Sequence, residues 1–228
     1  AANGFSTFEV QHRCKDGSVI WGEVLSKPDY SPEGKLIGYH GITREITQRK
    51  RLEEQVNRLA FYDTLTHLPN RRLLEDRLTQ AMSASHRSDR YGALLFLDLD
   101  NFKPLNDTHG HGVGDLLLIE VANRLKTCVR EADTVARFGG DEFVVLLCDL
   151  DHDKDEAITQ AGSIAEKIRQ TLSMPYWLDS SIEHRCTASI GATLFKGRDT
   201  NEKDLIDAAD TAMYQAKENG RNAIRFCP

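Results

Sequence analysis

Long apolar runs are missing from this chain of 228 residues. No stretch approaches the roughly 18 residues that a membrane-spanning helix needs, and no leader pattern stands at the start. Cysteine is scarce. Cys14, Cys128, Cys148, Cys186 and Cys227 are scattered, odd in number and without C-x-x-C spacing. That argues against a disulfide framework or a zinc site and points to a reducing, cytoplasmic setting. Positive charge is not in excess either. A net charge of −6 offers no basic face for nucleic acid, so an anionic ligand must be met by cations gathered locally. Tandem repeats and low-complexity tracts are absent. What remains is ordinary for a globular protein, 40% hydrophobic and 28% charged, and long enough for one sizeable core with an appendage.

Three zones follow along the chain. Up to about Thr47 the pattern is that of strands: Phe8–Cys14 alternates, Asp16-Gly17 turns, and Val19–Leu25 resumes. Pro28 and Pro32 then mark a loop, and Leu36–Ile42 forms a third strand. From about Arg44 to Ala60 the chain is charged and free of Gly and Pro. There Leu52, Val56 and Leu59 recur at spacings of four and three, which predicts an amphipathic linker helix, either packed on a domain or paired as a coiled coil.

From about Phe61 helices and strands alternate. Helices are expected over Arg71–His86, Asp115–Arg130, Asp155–Leu172 and Lys203–Lys217. Strands are expected over Tyr91–Leu99, Thr134–Phe138, Glu142–Leu147, within Ser181–Leu194 and over Asn222–Phe226, with a small hairpin near Trp177–Ile182. The first of these strands is almost wholly apolar, so it belongs at the sheet centre. The order βααββαβ predicts an α+β fold. It has a mainly antiparallel central sheet and helices on one face, of the ferredoxin-like or polymerase-palm type.

Two acidic pairs carry the candidate chemistry. In Phe96-Leu97-Asp98-Leu99-Asp100, residues two apart share a face, so Asp98 and Asp100 lie together while Leu97 and Leu99 enter the core. Buried carboxylates require a cationic or donor partner, which a helix cap, a lysine or a metal could supply. In Arg137-Phe138-Gly139-Gly140-Asp141-Glu142-Phe143, Gly139 and Gly140 predict a two-residue hairpin turn with positive φ at both positions. Backbone N–H groups left unshielded there invite an anion such as phosphate. If this hairpin lies beside the Asp98 strand, Asp141 or Glu142 can join Asp98 around a hard cation such as Mg²⁺, which binds through one or two carboxylates plus substrate phosphates. An ordinary acidic hairpin would explain the glycines but not the acids upstream. His109 and His111 flank Gly110 with poor spacing for a metal and are expected in a glycine-rich turn.

RFGGDEF, LDLDNFKPLNDTHGHGVGD, DTLTHLPNRR near residue 63 and ADTAMYQAKENGRN near residue 209 occur in an order that resembles the GGDEF family of diguanylate cyclases over residues 60 to 227. The resemblance implies that two GTP molecules condense to cyclic di-GMP, releasing two pyrophosphates. Each domain of a homodimer holds one GTP, and each 3′-hydroxyl attacks the other α-phosphorus. It implies Mg²⁺ (Mn²⁺ being the alternative) held by Asp98, Asp141 and the Leu99 carbonyl, with Glu142 completing the cluster as a ligand or as an aid to deprotonation. Asn106 and Asp115 would read guanine, with Phe102, Gly139 and Gly140 also at the substrate. Lys103, Lys217 and Arg221 would neutralise phosphate, the last two being four apart near a helix end and so able to reach one side together. Arg130 and Asp133 match the family's inhibitory R-x-x-D site for cyclic di-GMP, although a helix-terminal Arg and a turn Asp are common features. His67 stands where the family often has glycine.

Residues 1–47 resemble the C-terminal part of a PAS sensor domain through CKDGSVIWGEV, EGKLIGYHGI and REITQRK, with Glu45 where Asp is usual. Residues 48–60 are then the linker helix and 61–228 the cyclase domain. Three strands cannot bury both faces, so this zone is expected to be a fragment without an intact ligand pocket. A receptor for GTP or cyclic di-GMP, governing a neighbouring domain such as an EAL phosphodiesterase, is the alternative function. A nucleotidyltransferase acting on nucleic acid fits less well, for want of a basic surface.

Overall fold

A computed structural model describes residues 4–179, 182–197 and 200–227. The chain divides into two units, Ala1–Ala60 and Phe61–Pro228. Among the described residues no helix is long and apolar enough to cross a membrane.

In the first unit β1 (Ser6–Arg13), β2 (Val19–Tyr30) and β3 (Leu36–Glu45) form an antiparallel sheet in that order, and α1 (Thr47–Phe61) follows. β2 runs through Pro28, which the sequence placed in a loop. β1 begins at Ser6, opposite Ser26, so beyond Ser26 β2 pairs with β3 alone and is an edge strand, where proline is tolerated. The start of α1 is tied to the sheet. Trp21 N–H donates to Thr47 Oγ1 at 3.0 Å, and Arg49 pairs with Glu9 at 2.7 Å and Glu23 at 3.4 Å. Leu52, Val56 and Leu59 are exposed along the same helix. An open groove of about 770 Å³ beside α1 is lined by Glu23, Arg44, Arg49, Leu52, Glu53 and Val56.

The second unit runs α2 (Arg71–Ser88), β4 (Gly92–Asp100), α3 (Phe102–His109), α4 (His111–Cys128), β5 (Thr134–Gly139), β6 (Glu142–Leu147), α5 (Lys154–Leu172), β7 (Tyr176–Trp177), β8 (Glu183–His184), β9 (Thr187–Phe195), α6 (Glu202–Glu218) and β10 (Ile224–Phe226). Five strands form one sheet in the order β10-β9-β4-β6-β5, antiparallel except for β10 beside β9. β4 is central, as its apolar run predicts. The small hairpin is β7–β8; Ser181, where a strand was expected to begin, lies outside the described residues.

Helices cover both faces of this sheet, not one. Alternation along β4 sends Ala93, Leu95, Leu97 and Leu99 into a cluster with Leu117, Val121 and Leu125 of α4 and Ala161, Ala165 and Ile168 of α5. Leu94 and Phe96 enter a second cluster with Leu74, Leu78 and Met82 of α2 and Leu205, Ala209 and Met213 of α6. A strand apolar at every position needs two covers. Three of the helices start on side-chain caps: Asn70 accepts from Leu73 N–H, Asp153 from Asp155 and Glu156, and Asn201 from Asp204.

The segment around His109 and His111 is helical, contrary to the expected turn. α3 and α4 are broken only at Gly110, whose φ is 82°. Pro104 is tolerated because it lies in the first turn of α3. Gly114 is needed because a Cβ there would lie 1.9 Å from Asn106 Oδ1.

Candidate active site

The site forms where β4, β6 and α6 converge. Register between β4 and β6 sets Asp98 directly opposite Glu142, and Leu99 N–H donates to the Asp141 carbonyl at 3.4 Å. Lys217, in the last turn of α6, places Nζ 2.7 Å from Asp98 Oδ2. Burial pushes the Asp98 carboxyl above its ordinary range, and the Asp141 and Asp100 charges add to this against the opposing pull of Lys217. Glu142 is raised as well, first by burial and then by Asp98, Asp210 and Asp141. Negative charge is therefore concentrated beyond what one lysine offsets.

The hairpin tip differs from expectation. Gly139 is the last residue of β5 and pairs with Glu142, so the turn is Gly140-Asp141, and of the glycine pair only Gly140 (φ 50°) is left-handed. A register shift between Arg137 and Gly139 moves the turn by one residue. No atom lies within 4 Å of a Cβ position at Gly140, and the nearest to Gly139 is Glu142 Oε2 at 3.9 Å, so the backbone of both is open to a ligand.

The Asp100 carboxylate faces the same side of the sheet as Asp98 but is fully committed. It accepts from Thr187 Oγ1 (2.6 Å), Ser189 Oγ (2.8 Å) and the backbone N–H of Asn222 (3.0 Å). Nearby Cys186 is buried, and burial together with these carboxylates pushes its thiol up to about 12.

A second group gathers where α3 meets α4. Phe102 is partly buried in the core and Lys103 is exposed beside it. Asn106 Oδ1 is buried with no hydrogen-bond partner among the described residues, an acceptor lacking its donor. Asp115 follows Gly114 and is exposed. Arg221 departs from expectation. Because α6 ends at Glu218 and Arg221 adopts φ 62° in the turn beyond, its position relative to Lys217 is not set by a shared helical face.

Arg130 and Asp133 form a tight turn. Arg130 N–H donates to Asp133 Oδ2 at 3.0 Å, while Asp133 Oδ1 accepts from Cys148 N–H at 3.1 Å. The Asp133 carboxylate thus holds backbone in place, and the Arg130 side chain is exposed.

Sequence reasoning missed the brace under the hairpin. Arg137 Nη1 pairs with both oxygens of Asp63 (3.1 and 3.2 Å), while its Nε and Nη2 donate to the Gly140 carbonyl (2.9 and 2.7 Å). Asp63 opens the DTLTHLPNRR block, which was the available signal. Asp210 of α6 also went unnoticed, although its charge bears on Glu142.

Among the described residues no three His, Cys, Asp or Glu side chains converge to hold a metal by themselves. The oxygen-rich set of Asp98, Asp141 and Glu142, with Asp98 and Glu142 raised first by burial and then by neighbouring carboxylates, nonetheless fits a hard dication that takes its remaining ligands from a phosphate.

The fold is an α+β domain whose central sheet carries carboxylates at a glycine hairpin, with a lysine paired to one of them. Residues 60–223 match the family model described as diguanylate cyclase, GGDEF domain, and the chain belongs to this family. It is 47% identical over 180 residues to the bifunctional diguanylate cyclase/cyclic di-GMP phosphodiesterase MucR of Pseudomonas aeruginosa, a match spanning 79% of this chain and 25% of that protein. Diguanylate cyclase DgcM of Escherichia coli is 34% identical over 97% of this chain and 51% of its own length. Among solved structures, the GGDEF domain of YfiN from Pseudomonas aeruginosa is 36% identical with a TM-score of 0.67, covering 72% of this chain and 98% of that one. The coiled coil and GGDEF domain of DgcB from Caulobacter crescentus, solved with cyclic di-GMP, is 29% identical with a TM-score of 0.70, covering 79% and 93%. The chain spans about a quarter of the length of MucR.

Proposed function

We propose that the second unit is a diguanylate cyclase domain that condenses two GTP into cyclic di-GMP and two pyrophosphates at a homodimer interface. The observation that carries this reading is the register placing Asp98 opposite Glu142 beside the open glycine hairpin, with Lys217 2.7 Å from Asp98. Asn106, with its unpartnered buried oxygen, and Asp115 select the guanine through its N–H groups. Lys103, Lys217 and Arg221 meet the phosphates, and the N–H groups of Gly139 and Gly140 approach them closely. Asp98, Asp141 and the Leu99 carbonyl would hold Mg²⁺ or Mn²⁺, with Glu142 alongside; such an ion lowers the pKa of a bound hydroxyl and offsets phosphate charge. Arg130 and Asp133 serve as a product-binding site, with the Asp133 carboxylate already fixed and the Arg130 guanidinium presented to solvent. The first unit is the C-terminal part of a PAS sensor, and α1 carries its state to the cyclase.

Incubation with GTP and Mg²⁺ tests this, with the nucleotide products identified by mass. Cyclic di-GMP is expected, and specific activity should rise with protein concentration through the range where dimers dissociate. A flat specific activity, or no cyclic dinucleotide from a demonstrably dimeric sample, refutes it. The second of these outcomes favours a receptor for GTP or cyclic di-GMP that governs an adjoining domain. The ion pair that already engages Asp98 is the observation on that side.

A further inference from the structure

On the β5 flank of the hairpin lies a concavity of about 510 Å³, bounded by Gly139, Gly140 and the first turn of α2. Three guanidinium groups line it, those of Arg71, Arg72 and Arg137, against two carboxylates, Asp63 and Glu75. Arg71 lies 4.6 Å over the Phe138 ring and pairs with Glu75 at 2.9 Å; Arg72 lies 5.1 Å over the Phe61 ring. Both are exposed, and aromatic faces hold their planes without consuming their N–H donors. Arg137 is largely buried and acts differently. By capping the Gly140 carbonyl it removes the hairpin acceptor that would repel an anion.

Placing Arg71 and Arg72 in the first turn of α2, which contains no acidic residue, opposes the helix dipole. That arrangement is unfavourable for the helix alone, and an anion between the guanidinium groups and the hairpin offsets it. Planar guanidinium groups beside glycine positions with no side chain to bar approach suit phosphate oxygens. Asp98, Asp141 and Glu142 are not among the residues that line the concavity.

We propose that this concavity, with Arg71 and Arg72 as its donors, engages phosphate oxygens of the nucleotide carried by a second copy of the chain. The inference rests on the cyclase reading, in which a second copy meets this hairpin face to face. Each copy's own phosphates are served by Lys103, Lys217 and Arg221, so the arginines beside α2 act across the interface.

The test uses 3′-deoxy-GTP with Mg²⁺, a nucleotide that lacks the attacking hydroxyl. Its affinity is measured for wild type, Arg71→Ala, Arg72→Ala and Arg72→Lys, below and above the concentration at which wild type dimerises. The alanine variants should bind about tenfold more weakly than wild type in the dimer range, the scale of one charge-assisted contact, and equally well in the monomer range. Arg72→Lys should recover part of the loss. Unchanged affinity in both ranges, or an equal loss in both, overturns the proposal. Loss of dimerisation by the variants without nucleotide assigns the arginines to protein contact and overturns it as well. If wild type binds no analogue in either range, the cyclase reading itself falls and takes this inference with it.

Discussion

Gly191 sits on β9 beneath α6, and a methyl group there would test how the helix that carries Lys217 is seated. A Cβ at Gly191 would lie 2.0 Å from the Ala209 carbonyl oxygen and 2.2 Å from Met213 N, both backbone atoms of α6. Ordinary contact begins near 3.4 Å, so Gly191→Ala demands that helix and strand separate by about 1.4 Å. Overpacking of this kind costs about 1–3 kcal/mol, which for a domain of this size lowers Tm by about 2–12 °C. The same displacement carries Lys217 away from Asp98, to which it is held at 2.7 Å, and a misplacement of about 1 Å can cost about a hundredfold in rate. Calorimetry and a cyclic di-GMP assay read the two effects. Gly139→Ala is the control: its nearest neighbour is 3.9 Å away and its φ is not left-handed, so Tm should stay within about 1–2 °C while activity falls because phosphate approach is obstructed. Wild-type Tm and rate in Gly191→Ala would refute the close-packing argument, and full activity in Gly139→Ala would refute the role given to the open backbone.

His67→Gly should stabilise the domain. His67 holds φ 56°, a left-handed conformation that costs a side-chain-bearing residue about 1 kcal/mol, so Tm should rise by about 2–4 °C; a fall would mean that the histidine ring contributes more than its backbone costs. Glu142→Gln should raise Tm at pH 7.5 in EDTA while abolishing turnover. The folded carboxyl is raised above its ordinary value of 4.5, so its cost is absent below that pH, grows as pH climbs through the raised value and is complete above it. The stabilisation should therefore vanish near pH 4, and a variant less stable than wild type at neutral pH would contradict the repulsion described.

Some features were legible because they are local. α5 was visible in Ala161, Ala165 and Ile168, and the central place of β4 in its unbroken apolar run. Most of α4 was legible as the helix expected over Asp115–Arg130, but α3 and the first turn of α4 were hidden by Pro104, Gly112 and Gly114; the buried Asn106 amide explains why position 114 cannot carry a Cβ. Helices on both faces follow from β4 itself, whose residues alternate between two clusters; the expectation of one covered face did not use that alternation. At the hairpin the motif was read correctly as a turn but one residue early, because the shift at Arg137–Gly139 depends on pairing with β6. The Arg137–Asp63 pair spans 74 positions, a separation over which periodicity carries no information.

The buried carboxylate of Asp100 constrains how this sequence can vary. Two of its donors are hydroxyls, on Thr187 and Ser189, and substitution could replace both with apolar groups of similar shape. The third is the backbone N–H of Asn222, which no substitution except proline removes. Position 222 holds φ 43°, closed to proline, so that donor is permanent. Variation can thus redesign the β9 side of this contact, while position 100 must keep an acceptor for as long as the turn after α6 keeps its course.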